Sequence, residues 1–222
     1  MRTILFDLDG TLIDSAPDIA AALNRVLDAS GLAMLTVPEV GLLIGEGVAR
    51  LVEKAFAVRG VTLSAERLAV EATLMNRLYD AALTVDTFVL PHALEVVSGL
   101  YQNGFRTAVV SNKPGHLTRQ IIDHYQLTPF FHAIQGAEDE LPKKPAPDML
   151  LNAVKNAGGN VSQSIMVGDS GIDVKAARNA GIPVVLVRGG YTTIPVDDLG
   201  ADEIIDHLGH LPSVLTRRGW NP

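Results

Sequence analysis

The sequence predicts an α/β protein: a parallel sheet core into which an α-helical cap is inserted after the first strand. Three observations carry this expectation. From residue 91 onward, helical stretches alternate with short apolar runs of strand length, the pattern of a parallel sheet covered by helices on both faces. One further apolar run, residues 3–6, stands alone at the front of the chain. About 70 residues with helical periodicity separate it from the rest. The expected division is a core of residues 1–14 and 86–222 and a cap of residues 15–85.

Each element has its own signal. Thr3-Ile4-Leu5-Phe6 reads as a buried strand because polar Asp7-Leu8-Asp9-Gly10-Thr11 follows at once. A helix is expected from Ser15. Ser15 and Asp18 stand three apart with Pro17 in the first turn, a capping signature, and Ile19, Leu23, Val26 and Leu27 share one face up to Gly31. A second amphipathic stretch follows Gly47, with Val48, Leu51, Val52, Ala55 and Phe56 on its apolar face. A third begins near Ser64, with Leu68, Ala72, Met75, Leu78 and Tyr79 in step. No strand is expected in residues 15–84. A helix over 91–103 stops at Gly104, and a strand over 107–110 runs into a loop, Ser111-Asn112-Lys113-Pro114. There follow a helix over 115–125, a weaker strand over 132–135, a helix over 148–157 and a strand over 164–167. A helix over 172–180 stops at Gly181, and a last strand covers 183–187. The final six residues read as a loose tail and Glu138-Asp139-Glu140 as a solvated acidic loop.

Composition narrows the function. Of 222 residues 47% are apolar and 19% charged, which suits a packed core and excludes disorder. A net charge of -7 argues against a nucleic-acid surface and leaves small molecules or metal ions as partners. With no cysteine, disulfides and thiolate metal sites are impossible. No apolar run reaches the length of a membrane span, and Asp7 and Asp9 interrupt the front of the chain too early for a signal peptide. The expected compartment is the cytoplasm, with no membrane partner.

The chemistry is expected at the carboxyl ends of the strands, where open parallel sheets bind ligands and where the inserted helices would sit. Asp7 and Asp9 follow the first strand; Asp169 and Asp173 follow a later one. Were those strands neighbours, three or four carboxylates would converge, and they cannot all ionise in a dry site without a cation. Magnesium suits such all-oxygen ligands, whereas zinc would want cysteine or paired histidines that the sequence lacks. Ser111 ends another strand, where its hydroxyl and nearby amides can hold a phosphate oxygen. Lys144 in Lys143-Lys144-Pro145 offers a compact ammonium for the same purpose.

Taken together these residues resemble the four motifs of the haloacid dehalogenase superfamily. Asp7-Leu8-Asp9-Gly10-Thr11-Leu12 resembles the first, Ser111-Asn112-Lys113 the second, Lys144-Pro145 the third and Gly168-Asp169-Ser170-Gly171-Ile172-Asp173 the fourth. Their order and spacing match members with a helical cap after motif one. Within the superfamily the chain is most similar to the phosphoglycolate phosphatase branch, through Ser111-Asn112-Lys113-Pro114, residues 143–148, Leu90-Pro91-His92 and Ile44-Gly45-Glu46-Gly47. The resemblance implies a Rossmann-like core and a magnesium-dependent phosphatase acting on a small phosphate monoester. Asp7 would be the nucleophile that forms an aspartyl-phosphate, and Asp9 the acid and base. Asp7, the backbone carbonyl of Asp9, and Asp169 would hold the metal, with Asp173 orienting the site. Ser111 and Lys144 would bind phosphate, and Lys144 would pair with Asp7 before substrate arrives. Asn112 would help bind phosphate or serve as a loop residue.

The cap must choose the substrate, because the motifs recognise only phosphate. Gly45 and Gly47 border the start of the second cap helix, whose free amides can receive a carboxylate, and Arg50 can add charge there. The expected substrate is 2-phosphoglycolate. A sugar-phosphate phosphatase or a phosphomutase is the alternative. Asp9 speaks against a haloacid dehalogenase, and the presence of both Asp7 and Asp9 against a non-catalytic module.

Overall fold

The structure, a computed structural model, describes residues 1–138 and 140–220; Asp139 of the acidic loop and the tail residues Asn221 and Pro222 lie outside them. In chain order the first half comprises β1 (Thr3–Phe6), β2 (Ile13–Asp14), α1 (Ala16–Ala29), α2 (Val37–Gly41), α3 (Val48–Val58), α4 (Ala65–Asp80) and β3 (Phe88–Val89). Then come α5 (Ala93–Gln102), β4 (Arg106–Pro114), α6 (Gly115–His124), β5 (Ala133–Ala137) and α7 (Asp148–Asn156). The chain continues through β6 (Ser164–Gly168), α8 (Gly171–Ala180), β7 (Val184–Val187), β8 (Glu203–Ile205) and α9 (Leu211–Arg217).

Six strands form one parallel sheet in the order β5-β4-β1-β6-β7-β8. β1 lies in the middle and is buried along its whole length, with Ile4-Leu5-Phe6 an unbroken apolar run that suits a strand covered on both faces. Side chains alternate across it. Ile4 and Phe6 point to the layer of α5, α6 and α9; Leu5 points to that of α7 and α8. Full burial of a side chain such as Phe6 is worth about 1.5–3 kcal/mol. The register places Phe6 opposite Val109 of β4 and Val167 of β6. Asp7 and Asp169, one residue past β1 and β6, and Ser111 within β4 are therefore side by side at the carboxyl ends of three adjacent strands.

Helices α1 to α4 lie between β2 and β3. Leu23, Val52, Phe56 and Met75 bury their apolar faces in a cluster continuous with one face of the sheet. The two crossings between sheet and helices are tied together, a feature absent from the sequence reading. β2 and β3 pair antiparallel, with Ile13 opposite Val89. The Asp18 carboxylate accepts bonds from the backbone N–H groups of Val85, Asp86 and Thr87 and from the Thr87 hydroxyl, at 2.7–3.1 Å.

Other expectations need correction. Ser15 precedes α1, but its hydroxyl makes no capping bond; it donates to Asp9 Oδ1 at 2.5 Å instead. β4 continues through Ser111-Asn112-Lys113-Pro114, which is strand with an irregular register rather than loop. Helix α2, β8 and α9 were not anticipated. Residues 217–220 are not loose either: α9 runs to Arg217, the Gly219 carbonyl accepts from Arg2, and the Arg2 guanidinium lies 5.6 Å from the Trp220 ring centre. Among the described residues no helix is long and apolar enough to cross a membrane.

Candidate active site

Asp7 stands one residue past β1, and its carboxylate is fixed from two sides. Its Oδ1 accepts from the Leu8 backbone N–H at 2.7 Å, and the Lys144 ammonium lies 2.9 Å away. Burial pushes the Asp7 carboxyl up to about 7. Lys144 pulls it down, while the charges of Asp173 and Asp9 push it up. Lys144 itself is buried and bridges Asp7 to Asp173, donating to Asp173 Oδ1 at 2.7 Å. Burial alone would lower the Lys144 ammonium; the two carboxylates outweigh it and hold it above its ordinary value.

Asp169 follows β6. It accepts from the Thr11 hydroxyl at 3.1 Å and from the Tyr191 backbone N–H at 2.5 Å. Burial first, then the charges of Asp173 and Asp7, raise its carboxyl well above the usual range. Its cradle requires glycine: a Cβ at Gly190 would lie 2.2 Å from Asp169 Cβ, and one at Gly10 2.5 Å from Asp169 Oδ2. Asp173 is fully buried at the start of α8, where Oδ2 accepts from the Ser170 hydroxyl at 2.7 Å. It is thus both helix cap and anchor for Lys144.

Carboxylate oxygens of Asp7, Asp169 and Asp173 lie within 4.8 Å of one another. At the site four carboxylates, Asp7, Asp9, Asp169 and Asp173, face two buried ammonium groups, Lys113 and Lys144. The excess of two negative charges, and donors that are all hard oxygen, fit a divalent cation of the magnesium type. The Asp9 side chain is turned away from this cluster. Its Oδ1 accepts from Ser15 Oγ and, at 2.6 Å, from Lys113 Nζ. Any contribution by Asp9 to the metal therefore falls to its backbone carbonyl.

A cavity of about 50 Å³ opens between this floor and the helical insert. Asp7, Asp9, Ser111 and Asp169 line one side; Ile44, Val48, Leu51 and Met75 line the other. Gly45 and Gly47 also border it. Both have positive φ, 119° and 90°, so the chain needs glycine there irrespective of any ligand.

Two expected site residues are placed otherwise. Arg50 is exposed on α3 and absent from the cavity wall; Glu53 holds its guanidinium at 2.5 Å and Glu46 lies at 3.7 Å. Asn112 borders the cavity, but its carboxamide is committed. It donates to the carbonyls of Gly45 and Lys144 at 2.9 Å and accepts from the Lys144 backbone N–H at 2.8 Å. It therefore clamps the insert loop and Lys144 in place rather than presenting itself to phosphate.

Three residues escaped the sequence reading. Lys113 stands in Ser111-Asn112-Lys113, where the family resemblance gives it no role. Its signal was alternation: two residues beyond Ser111 on the same strand, it returns to the same face. Tyr79 was placed on the apolar stripe of α4, yet a buried phenol needs a partner, and its hydroxyl accepts from Lys113 Nζ at 2.7 Å. Tyr191 lies in an irregular segment and carried no signal. Its hydroxyl donates to Asp14 Oδ1 at 2.6 Å and accepts from the backbone N–H groups of Ser15 and Ala16 at 2.9 Å, bracing the start of α1.

The profile of the haloacid dehalogenase-like hydrolases matches residues 4–187. The chain belongs to that family. A phosphoglycolate phosphatase of Caulobacter vibrioides is 40% identical over 210 residues, covering 95% of this chain and 89% of that protein. One from Agrobacterium fabrum is 35% identical over 211 residues, covering 95% and 91%. Among solved structures, one described as a predicted phosphoglycolate phosphatase from Haemophilus somnus superposes with a TM-score of 0.87 at 28% identity, covering 96% of this chain and 97% of that one.

Proposed function

We propose that this protein is a phosphoric monoester hydrolase that converts 2-phosphoglycolate to glycolate and phosphate. The observation that carries the reading is the floor of the cavity. A carboxylate at the end of the central strand is held by a buried ammonium that also suits a phosphoryl oxygen. Asp7 attacks phosphorus and forms an aspartyl-phosphate as the ester bond breaks. Asp9 gives a proton to the departing oxygen and later takes one from the water that hydrolyses the intermediate. Lys144 and Ser111 bind the peripheral phosphoryl oxygens as charge spreads over them. Asp173 and Asn112 keep Lys144 in place. Asp7, the Asp9 backbone carbonyl and Asp169 would hold Mg2+, which when bound offsets the charge of phosphate and carboxylates. Residues 15–85 act as the cap that closes this floor from water.

The relatives' names support phosphoglycolate as substrate. The test is phosphate release by purified protein from a panel of phosphate monoesters, with Mg2+ and with excess chelator. Phosphoglycolate should lead the panel, and chelator should abolish turnover. Preference for a sugar phosphate would overturn the substrate, and full activity in chelator the metal.

A further inference from the structure

Phosphate binding at Asp7 and Lys144 leaves the far end of a substrate to the rest of the cavity wall. On the insert side that wall is mostly apolar, from Ile44, Val48, Leu51 and Met75. On the sheet side the cavity is lined by the cationic side chain of Lys113; the exposed Lys143 reaches Gly47 at its rim. Lys113 is 6% exposed, and its ammonium is held between Asp9 Oδ1 at 2.6 Å and the Tyr79 hydroxyl at 2.7 Å. An ammonium has three donors, and these two bonds use two of them. Fixing Asp9 alone would not require a buried full charge, which is costly to desolvate; the Ser15 hydroxyl already binds the same oxygen. A positive charge beside a small cavity suits an anionic ligand.

We infer that Lys113, backed by Tyr79, is the specificity-determining residue that receives the substrate's carboxylate, and that the substrate class is the phosphate monoesters of 2-hydroxy acids. The inference rests on the phosphatase reading above and deepens it. Asp9 serves the ester oxygen, and in a 2-hydroxy acid ester the carboxylate carbon is two bonds from that oxygen. Lys113 Nζ, one hydrogen bond from Asp9, is within reach of that carboxylate. The arriving carboxylate takes the third donor or displaces Asp9, and the Tyr79 hydroxyl keeps its own proton to donate. Because Tyr79 belongs to α4 and Lys113 to β4, the pair exists only with the insert seated on the sheet domain. Carboxylate recognition and closure are then a single event. Arg50, the cation expected in this role, faces elsewhere.

The test compares 2-phosphoglycolate with 2-hydroxyethyl phosphate, in which a hydroxymethyl group replaces the carboxylate. kcat/KM is measured with Mg2+ for the wild type, Lys113→Met and Tyr79→Phe. The wild type should prefer phosphoglycolate by about 100-fold or more. Lys113→Met should lower kcat/KM on both substrates, because Asp9 loses a partner, but lower it more on phosphoglycolate, bringing that ratio below about 5, and Tyr79→Phe should reduce the ratio by about 3–10-fold. If the wild type shows no preference, the phosphoglycolate reading fails. If the wild type prefers phosphoglycolate but Lys113→Met loses both substrates in equal proportion, that reading stands and Lys113 merely positions Asp9. Should thermal melting show Lys113→Met unfolded, Tyr79→Phe decides, and an unchanged ratio there overturns the inference.

Discussion

The floor of the cavity and the helical insert above it are built on opposite principles. On the floor every charged group has a named partner: Lys144 joins Asp7 to Asp173, Thr11 and Tyr191 hold Asp169, and Ser15 and Lys113 hold Asp9. The insert meets the cavity with apolar side chains, two positive-φ glycines and one phenol. Removing a partner on the floor leaves a buried charge exposed to its neighbours, whereas most changes in the insert alter only shape and closure. Activity should therefore be brittle below the cavity and graded above it.

The comparison is sharpest at Asp7. Asp7→Asn keeps the size of the side chain, removes the nucleophile and should cost about 10⁴-fold or more in kcat. Its melting temperature without metal should not fall, because a buried charge disappears. Lys144→Met should cost about 100–1000-fold in kcat and destabilise the protein by about 3 kcal/mol, since Asp7 and Asp173 both lose their counter-charge. Denaturant unfolding would measure the second effect. A melting temperature equal to the wild type's would show that the floor is less tightly coupled than its geometry implies.

The floor should also respond to pH. Burial raises the Asp7 carboxyl from 3.8 in the unfolded chain to about 7 in the folded one, and Asp169 moves the same way. The folded state therefore binds protons more tightly. The contribution of these two groups to stability is fully present below about pH 4 and is lost as pH rises toward 7. Metal-free protein should show that decline in thermal melts. Mg2+ should raise the melting temperature more at pH 7 than at pH 4, because it binds the ionised carboxylates.

How legible these regions were follows from the same contrast. Asp7, Asp169 and Asp173 could be placed from sequence because each follows a strand or opens a helix, and β1 and β6 are mostly apolar runs bounded by polar turns. Parallel register then brings them together. The pairing that ties the two crossings was not legible: β2 and β3 are two residues each, too short to show a period, and Asp18 reads like any acidic residue in a first helical turn. Arg50 misled because a residue off an apolar stripe faces either a ligand or solvent, and helical periodicity does not say which. Asn112 misled because a carboxamide in a phosphate motif can equally bind backbone, as this one does.

Above the cavity the effects should shrink. Asp18→Asn weakens the tie between the two crossings without touching the floor, and should change kcat/KM by about 3–10-fold while chelator sensitivity and pH response stay as in the wild type. Arg50→Ala should change kcat/KM by less than about twofold, since its partners Glu46 and Glu53 are exposed with it. A tenfold loss there would mean that α3 turns toward the substrate during turnover.

The central claim is that Asp7 carries the phosphoryl group. Acid-quenching the enzyme during turnover of a substrate labelled with radioactive phosphate, followed by peptide mapping, tests it directly. The label should sit on the peptide containing Asp7, be released by hydroxylamine as an acyl phosphate is, and be absent from Asp7→Asn protein. Label on another residue, or undiminished turnover by Asp7→Asn protein, would contradict it.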